Sequence, residues 1–589
     1  METLTEYFTP VRIIALLCKY RVKAAKQRHL FHQDLKISHN DAARQKLDKL
    51  NFDWKEISEM MPPRRGWVKL TLDERKKHNN SNTSSVDRLK RTIAKVHIDV
   101  LHEIIIPPDW YRKLQGFIEE IQASIEVESD YSISKPGIIP EFKEQKGDKT
   151  IFRPLTNYLL KDRVILSLSA KYLTDIFDPF FIDESSFAFR SVKNLSKENI
   201  KNHHRAIRAI KLYRETYLDH EIWIAECDIK KFFDCVSHKI AIDAFERFCN
   251  NLDDNVDVRA KRIFYSYLNS YSFVKSVYHL SSSDFFIKYS LSNDFNNCIF
   301  EWPENELSQL YGDSFDTEKY NIGVPQGGAI SCLIANMVMH FVDEKVVDTS
   351  DKIKYIRYCD DMLILANSQI VCQEALTRYT KAIENSKLIV HPPALTEQYS
   401  EKFWGRANKS KLPYSWAKRN AHRGVPWLSF VGYQIRHDGL VRIRPASIAK
   451  EVEKQKKFVS RQINVLHNKA RNAIPQDVNK VSKKSLNQQV YVLESHLISM
   501  SVGRVALKRI TKPTLCWANG FFEISGNAIA EKQLRHLDKM RNKEILRFKK
   551  RLCSLERESY KPEIKVKKFR GGPFSYFGVL HRPPVRRSL

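Results

Sequence analysis

A chain of 589 residues is too long for one hydrophobic core, which excludes a single small domain and predicts roughly two to four. Hydrophobic residues make up 42% of the sequence, which excludes a largely disordered protein. The formal net charge of +29 indicates a polyanionic partner, either nucleic acid or an anionic membrane surface, and the 11% of aromatic residues favours nucleic acid because aromatic rings stack on bases.

The ends of the chain differ in composition. From Glu451 onward there are 31 Lys and Arg residues against 11 Asp and Glu, so about +20 of the charge lies in the last quarter. The apolar run VRIIALLCKY (11–20) is too short for a membrane span or a secretory signal.

Ten cysteines are scattered without a C-x-x-C pair, which predicts free thiols, no zinc site and a cytoplasmic location.

Secondary structure can be predicted in chain order. The polar run KKHNNSNTSS (76–85) indicates a linker, with a helix starting near Ser85. Residues 146–190 predict a basic loop, a strand and a long helix. A β-type run then ends at Asp228, and a helical pattern resumes after Ser237.

Beyond residue 250, only some segments show a clear secondary-structure pattern. A polar and aromatic insertion at 250–320 gives no clear pattern. Residues 321–344 predict a Gly-rich turn that leads into an apolar helix, and 447–552 are mostly helical in pattern.

The segment YIRYCDDMLILA (355–366) predicts a hairpin with Asp360 and Asp361 at its turn. Adjacent carboxylates repel each other unless a cation relieves the repulsion, and hard divalent ions prefer such oxygen ligands. An ordinary Asp-rich turn is the alternative. If the strand ending at Asp228 lies beside the hairpin, three carboxylates converge and can hold two Mg²⁺ ions about 3.5–4 Å apart for phosphoryl transfer.

Six segments in order resemble the consecutive motifs of reverse transcriptases, in the bacterial branch that contains group II intron and retron enzymes. They are FRPL (152–155), SSFAFR (185–190), ECDIKKFFD (226–234), GVPQGGAISCLIAN (323–336), YCDD (358–361) and WLSFVGYQIRHDGLVRIR (427–444). The resemblance covers about residues 100–445. It implies an α+β right-hand polymerase with reverse-transcriptase fingers and palm, followed by a mostly α-helical thumb and C-terminal region.

The domain boundaries that we predict follow from this resemblance. They are a basic N-terminal extension (1–84), fingers and palm (85–446), a helical thumb that binds nucleic acid (447–552) and a basic tail (553–589).

The resemblance also implies roles for individual residues. Asp228, Asp360 and Asp361 match the catalytic, metal-binding carboxylates, and the Ile229 carbonyl would complete the metal shell, with Mg²⁺ as the expected ion and Mn²⁺ as the alternative. Phe233 matches the bulky residue that excludes a 2′-hydroxyl, so deoxynucleotides are the implied substrate; simple packing in an FF pair is the alternative.

Other matches concern the nucleotide and the primer. The implied nucleotide-binding residues are Arg153, Arg190, Gln326, Gly327 and a lysine companion, which is Lys149, Lys143 or Lys146; Gly328 belongs to the same turn. Phe430, Gly432 and Tyr433 resemble the primer grip.

The sequence departs from the family pattern at several places. Phe187-Ala188 replaces Tyr-Gly, and Cys332 replaces Pro. A lysine that precedes a threonine in many relatives, a candidate general acid for pyrophosphate, is replaced by Ala394 or Leu395.

The pattern from Gly432 to Arg444, followed by a long basic helical region, is most similar to the abortive-infection and defence-associated reverse transcriptases. This implies DNA synthesis in antiphage defence, with an RNA template or an associated non-coding RNA, deoxynucleotides as substrates and DNA as product. Self-association or a partner protein stays open.

The alternatives are a group II intron maturase, template-independent or protein-primed synthesis, and a non-catalytic RNA-binding scaffold. Tyr560 and Tyr576 in the basic tail are the candidate priming residues.

Overall fold

The computed structural model describes most of the chain between residues 2 and 574. The described residues are 2–35, 54–71, 73–74, 81–191, 202–217, 220–253, 255–280, 285–286, 297–312, 315–316, 319–347, 353–394, 409–418, 424–471, 490–494, 496–497, 517–524, 528–555 and 574.

Most of the secondary structure is helical. In chain order the helices are α1 (Leu4–Tyr7), α2 (Pro10–Leu35), α3 (Ser81–Leu101), α4 (Asp109–Ser124), α5 (Leu160–Phe177), α6 (Asn202–Thr216), α7 (Phe232–Cys235), α8 (His238–Asn250), α9 (Val258–Asn269), α10 (Phe273–Ser276), α11 (Glu304–Tyr311), α12 (Ser331–Val346), α13 (Gln369–Asn385), α14 (Pro445–Arg471) and α15 (Ala528–Leu555). None of the described helices is long and apolar enough to cross a bilayer.

The strands form three sheets. In chain order they are β1 (Gly137–Lys146), β2 (Lys149–Asn157), β3 (Ile222–Asp228), β4 (Cys298–Ile299), β5 (Ile353–Tyr358), β6 (Asp361–Ala366), β7 (Pro393–Ala394), β8 (Ser410–Trp416), β9 (Trp427–Phe430), β10 (Tyr433–Arg436) and β11 (Val441–Ile443). The sheet orders are β1-β2-β4, β5-β6-β3-β8-β7 and β11-β10-β9.

The chain divides into two compact units. Unit 1 comprises 1–17, 107–428 and 437–439, and unit 2 comprises 18–106, 429–436 and 440–589. This division differs from the four consecutive domains that the sequence predicts, because most of the N-terminal extension groups with the C-terminal helices. Residues 18–106 and the C-terminal region from 440 therefore belong to the same unit, whereas residues 1–17 belong to unit 1.

The five-stranded sheet forms the centre of unit 1. Strand β6 is buried from Met362 to Ala366, and Ile222 and Ile224 of β3 have no exposed surface. Helices α12 and α13 pack together, and α13 also packs against β3, β6 and β8. A strand that is buried along its whole length reads as a continuous apolar run rather than an alternating one, which is the pattern of MLILA.

A second sheet carries a basic hairpin. Strands β1 and β2 pair antiparallel from Gly137–Asn157 to Lys146–Lys149, with a bulge between Phe142 and Glu144. The edge strand β4 pairs parallel with β2 at Thr150 and Ile151. Apolar side chains from the 250–320 insertion cover one face of this sheet, among them Phe273, Phe286 and Phe300.

Two long helices of unit 2 pack against each other. Val459 of α14 shares an apolar cluster with Ile545, Phe548 and Leu552 of α15. The Gln533 side chain of α15 makes hydrogen bonds to both the N–H and the C=O of Ile443, at 3.0 and 2.7 Å. These two bonds fasten α15 to the edge strand β11.

The predicted α+β class, with a helical C-terminal region, is confirmed. So are the strand that ends at Asp228, the helix that follows Ser237, and the hairpin around Asp360. The helix predicted near Ser85 starts earlier, at Ser81, and therefore takes in half of the predicted linker. The expected basic loop, strand and long helix correspond to the turn at 147–148, β2 and α5, whereas β1, which precedes them, was not predicted.

Candidate active site

Three aspartates lie at one end of the five-stranded sheet. In the register of β3 and β6, Asp228 is directly opposite Asp361. Asp360 lies in the turn that joins β5 to β6, next to Cys359, whose φ of 63° is in the left-handed region. The tight turn and the register therefore bring all three residues to the same strand ends.

The pKa values of the hairpin carboxyls are raised. Desolvation by surrounding protein, followed by the charges of Asp360 and Asp228, raises the pKa of Asp361 to about 7. Burial and the Asp228 charge also raise the pKa of Asp360. The Asp361 side chain is exposed at the strand end, where the negative charges of Asp360 and Asp228 act on it.

Carboxylate oxygens that repel each other suit a hard divalent cation. The donor chemistry of Asp228, Asp360 and Asp361 therefore fits the expected metal. Within the described ranges, however, no three His, Cys, Asp or Glu side chains are close enough together to hold an ion. The Ile229 side chain is buried, and its backbone forms a bridge with Val390.

A lysine contacts one of these carboxylates. Lys409 Nζ lies 2.7 Å from Asp228 Oδ2, and His391 Nε2 lies 3.6 Å from the same oxygen. Lys409 Nζ and His391 Nε2 are 3.2 Å apart. Burial and the neighbouring Lys409 charge lower the pKa of His391 to about 4, so the imidazole is neutral at pH 7.

Sequence reasoning missed Lys409 because it looked for this lysine at Ala394 and Leu395. In the structure Lys409 immediately precedes β8, which pairs with β3 and brings Ser410 Oγ to 3.1 Å from the Asp228 N–H. The pair Lys409-Ser410 resembles Lys-Thr, and a strand directly after it is the signal that could have identified it. The residues between, 395–408, lie outside the described part.

A buried ion pair supports the hairpin. Arg357 of β5 has no exposed surface, and its guanidinium lies 2.6 Å from Asp343 of α12. The same side chain donates to Ser186 Oγ at 2.9 Å and to the Cys359 carbonyl at 3.3 Å. A buried charge without its partner is strongly unfavourable, so this network fixes the turn that carries Asp360.

Phe232 and Phe233 have different surroundings. Phe232 is 2% exposed and belongs to the core, whereas Phe233 is only partly buried. The Phe233 carbonyl accepts a hydrogen bond from the Val324 N–H at 2.7 Å, which connects it to the Gly-rich turn. Phe233 is therefore the member of the pair that can touch a ligand.

Gln326 joins the same region. Its Nε2 donates to Asp234 Oδ1 at 2.7 Å, and its carbonyl accepts from the N–H and hydroxyl of Thr156, both at 3.0 Å. Burial raises the pKa of Asp234 to about 6, although Lys231 and Gln326 oppose that rise. Gln326 thus connects β2 to the segment after Asp228.

The glycines of the turn differ in what they require. Gly327 has a φ of 90° and open space where a Cβ would lie, so its backbone conformation is the constraint. At Gly328 a Cβ would lie 1.8 Å from the Tyr267 hydroxyl, so close packing is the constraint there. Of these two glycines, Gly327 is the one that faces space a nucleotide could use.

The charged residues of the basic hairpin differ in how well they are placed to bind a nucleotide. Arg153 is exposed on β2, opposite Glu141 in the register. Burial and the neighbouring Lys231 charge lower the pKa of Lys143. Lys149 lies at the exposed hairpin tip. Lys143, rather than Lys149, therefore lies among the charges near Asp228.

The guanidinium of Arg190 makes its contacts with other groups of the protein. Its guanidinium is 5% exposed, lies 2.8 Å from Asp178 Oδ1, and donates to the Ser186 carbonyl at 2.9 Å. This arrangement argues against the nucleotide contact implied by the sequence. We assign Arg190 a structural role in holding the segment that precedes it.

The segment resembling a primer grip lies in unit 2. Phe430 ends β9, and Tyr433 begins β10; both are buried. The Tyr433 hydroxyl donates to the Gly520 carbonyl at 3.2 Å. Gly432 has a φ of 88°, and a Cβ there would lie 3.3 Å from the Phe521 ring. Tyr560 and Tyr576, the candidate priming residues, lie outside the described residues.

A comparison with protein families finds a match to part of the chain. The model described as reverse transcriptase (RNA-dependent DNA polymerase) matches residues 143–396, a range that includes the basic hairpin, all three aspartates and the Gly-rich turn. Members of this family generally use divalent metal ions. A search of curated proteins finds no match to the chain.

Solved structures give distant matches. Telomerase from Candida albicans, in complex with a TWJ fragment of telomeric RNA, is 12% identical, with 88% of this chain and 84% of that chain covered and a TM-score of 0.30. Apo telomerase from Candida tropicalis is 10% identical, with 93% of each chain covered and a TM-score of 0.32. Likenesses this distant carry no argument about activity or partners.

The family match thus covers the segment in which a strand pair and a tight turn present three aspartates beside an exposed basic hairpin. Residues 143–396 are a reverse transcriptase domain, and the protein is an RNA-directed DNA polymerase.

Proposed function

We propose that Asp228, Asp360 and Asp361 form the centre at which deoxynucleotides are added to a 3′-hydroxyl, with Mg²⁺ as the ion and Mn²⁺ as the alternative. The observation that carries this proposal is the register pair of Asp228 and Asp361, with raised pKa values on the hairpin. Two divalent ions, when bound, activate the 3′-hydroxyl and stabilise charge on the leaving pyrophosphate. The Ile229 carbonyl is the further oxygen that we assign to this site.

We assign Lys409 as the proton donor to pyrophosphate. Its side chain is 45% exposed and its ammonium lies 2.7 Å from Asp228 Oδ2, so it borders the reacting groups and still reaches solvent. A general acid must lie within hydrogen-bond reach of the group that it protonates, and Lys409 lies beside a carboxylate that would hold the ions at the site of pyrophosphate release. His391 is neutral and positions Lys409.

The nucleotide is proposed to lie between the basic hairpin and the Gly-rich turn. Arg153 and Lys143 bind the triphosphate, because a guanidinium fork and an ammonium suit phosphate oxygens. Phe233 lies against the sugar, and the open backbone at Gly327 lets the nucleotide approach. Gln326 positions this turn through Asp234 and Thr156.

The test is extension of a DNA primer on an RNA template, with labelled deoxynucleotides and added Mg²⁺ or Mn²⁺. We expect synthesis that a chelator abolishes and that Asp228→Asn abolishes at equal folded protein. Synthesis by the folded variant at the wild-type rate would contradict the assignment of Asp228.

We further propose that the protein serves antiphage defence, in the cytoplasm, as a bacterial reverse transcriptase with an associated structured RNA. The support is the resemblance over Gly432–Arg444 and the basic helices that follow it. A group II intron maturase is the second candidate, since the same basic helices would bind an intron. A non-catalytic RNA-binding scaffold is less well supported, because all three carboxylates are present.

Sequencing the nucleic acid that co-purifies with the protein distinguishes these functions. A structured non-coding RNA supports the defence proposal, an intron supports the maturase, and a homopolymeric DNA indicates template-independent synthesis. Recovery of random cellular RNA, with no enrichment over a control protein of equal charge, would contradict a dedicated RNA partner.

Protein priming is a separate proposal for the start of synthesis. A tyrosine hydroxyl can replace a primer 3′-hydroxyl if it reaches the catalytic centre, and Tyr560 and Tyr576 are the candidates. Products are run on a denaturing gel before and after protease digestion. DNA that migrates as free nucleic acid without digestion would rule protein priming out, whereas DNA retained with the protein would justify replacing each tyrosine.

A further inference from the structure

A carboxylate from the 250–320 insertion lies among the lysines beside the catalytic strand. Glu301 Oε1 is 2.9 Å from Lys146 Nζ, and Glu301 Oε2 is 3.4 Å from Lys231 Nζ. Lys146 ends β1 of the basic hairpin, and Lys231 lies three residues after Asp228. One carboxylate therefore bridges the two sides of the region to which we assign the triphosphate.

The backbone on both sides of Glu301 is held firmly. On the N-terminal side, the Asn297 carbonyl accepts from the Thr150 N–H at 2.8 Å, and β4 pairs with β2. On the C-terminal side, the Trp302 indole donates to the Asp234 carbonyl at 3.0 Å and stacks on Phe273. Fold contacts thus place Glu301 at this point.

The exposed fractions of the Lys231 and Glu301 side chains indicate which of the two can move away from the contact. The Lys231 side chain is 14% exposed, so its charge needs an anion nearby. The Glu301 side chain is 35% exposed and can therefore move toward solvent. Close by, Glu306 pairs with Lys230 at 2.8 Å, so the insertion neutralises both lysines that follow Ile229.

We propose that Glu301 occupies part of the triphosphate subsite in the nucleotide-free enzyme, so that an incoming nucleotide must displace it from Lys146 and Lys231. This inference rests on the proposed function, because it takes the triphosphate to lie on this side of Asp228. Glu301 then sets the affinity for nucleotides: it holds the lysines in place between turnovers and competes with phosphate for them.

Competition between Glu301 and phosphate for the lysines predicts how a substitution of Glu301 changes phosphate affinity. Replacing Glu301 by Gln keeps the shape of the side chain and removes its charge, so phosphate groups meet unneutralised lysines. The dissociation constant for polyphosphate should fall about twofold to fivefold, which is the range expected for removal of one competing ion pair at a partly exposed site. The KM for deoxynucleotides should fall with it.

The test is calorimetric titration of the full-length protein with inorganic tripolyphosphate in the absence of divalent ions. Wild type, Glu301→Gln and the control Glu304→Gln are compared. Glu304 lies on the same segment, but its carboxylate accepts from the Tyr278 hydroxyl at 2.6 Å rather than from a lysine. We expect tighter binding for Glu301→Gln alone, and intermediate binding for Glu301→Asp, which keeps the charge on a shorter side chain.

Equal affinities for wild type and Glu301→Gln would overturn the inference, as would weaker binding by the variant, since Glu301 would then only position Lys231. Binding of tripolyphosphate by none of the proteins would also overturn it. Because the titration needs no catalysis, these results are independent of primer extension: failure of the inference with intact metal-dependent synthesis leaves the proposed function standing.

Discussion

At the scale of the residue, Phe233 gives a direct test of substrate choice. Its ring is partly buried beside the Gly-rich turn, whereas Phe232 is core. Phe233→Val should raise ribonucleotide incorporation relative to deoxynucleotides by about tenfold or more, because removing one steric clash is worth roughly 1–3 kcal/mol. Competition between labelled nucleotides measures it. Phe232→Leu is the control, which should lower stability and leave the preference for deoxynucleotides unchanged. An unchanged preference in Phe233→Val would mean that Phe233 only packs against its neighbours.

Lys409 gives a test of proton transfer. Lys409→Met should lower kcat by about 10²-fold, the usual contribution of a general acid, with little change in the nucleotide KM. The exposed Lys418→Met, beyond the other end of β8, is the control. Steady-state kinetics at fixed pH separates the two constants. A rise in KM with an unchanged kcat would mean that Lys409 binds the nucleotide instead.

Asp234 gives a pH dependence with a definite sign. Its pKa is raised to about 6, so the folded state keeps a proton that the unfolded state loses near pH 4. Asp234 therefore lowers stability as pH rises from about 4 to about 6, by about 3 kcal/mol in total. Asp234→Asn removes this titration and should be more stable than wild type at pH 7 but not at pH 4. Thermal unfolding across this range checks it, with the exposed Asp130→Asn as control.

The residues that sequence could and could not predict differ in a physical way. Asp228 and Asp361 could be identified from local strand-end and hairpin patterns, whereas their pairing across β3 and β6 entered the prediction only as a condition. Lys409 could not be predicted, because only the pairing of β8 with β3 brings it to Asp228. The Arg190 ion pair was missed for the same reason, since Asp178 comes from a neighbouring helix end.

At the scale of the element, α14 and α15 each carry a basic stripe. Exposed residues recur at helical spacing along one side of each helix, and they are Lys450, Lys454, Lys457 and Arg461 on α14, and Lys532, Lys539, Lys543 and Lys550 on α15. The opposite sides of the helices bury the shared apolar cluster. Stripes of this kind track a phosphate backbone.

Neutralising part of one stripe should reduce the salt dependence of binding. For Lys539→Gln, Lys543→Gln and Lys550→Gln combined, the slope of log affinity against log salt should fall by about 0.9 for each duplex phosphate that the variant no longer neutralises. Fluorescence anisotropy at several salt concentrations measures it. A matched triple at the exposed Lys239, Lys345 and Lys381 is the control, and equal slopes in both triples would place the nucleic acid on another face. Lys549 suits this test less, because it pairs with Glu494 at 3.4 Å.

Helices and strands could be predicted where the period of the apolar residues and the residues at the ends of the segment indicate the same structure. The apolar run of β6 and the strand–turn–helix around Asp228 belong to this group. Strand β1 was not predicted, since most of its side chains are exposed and many are charged, so no clear apolar alternation marks it. The insertion itself has no period of its own because its aromatic residues pack against the hairpin sheet.

At the scale of the whole molecule, the basic helices and the three aspartates belong to separate compact units. Unit 1 holds the three aspartates and the basic hairpin, and unit 2 holds the basic helices together with the segment resembling a primer grip. The sequence predicts a charge-rich C-terminal region but not that residues 18–106 group with it, because that grouping depends on contacts between segments hundreds of residues apart.

The catalytic role of the protein depends most on the assignment of the hairpin carboxylates. The direct measurement is primer extension on an RNA template by the double variant Asp360→Asn, Asp361→Asn, with thermal unfolding of the same sample as the check on folding. We predict loss of nucleotide addition at every divalent ion concentration, with an unfolding temperature in metal-free buffer at or above that of wild type, because the substitutions remove like-charge repulsion and hardly change packing. A folded double variant that extends the primer at the wild-type rate would contradict this assignment.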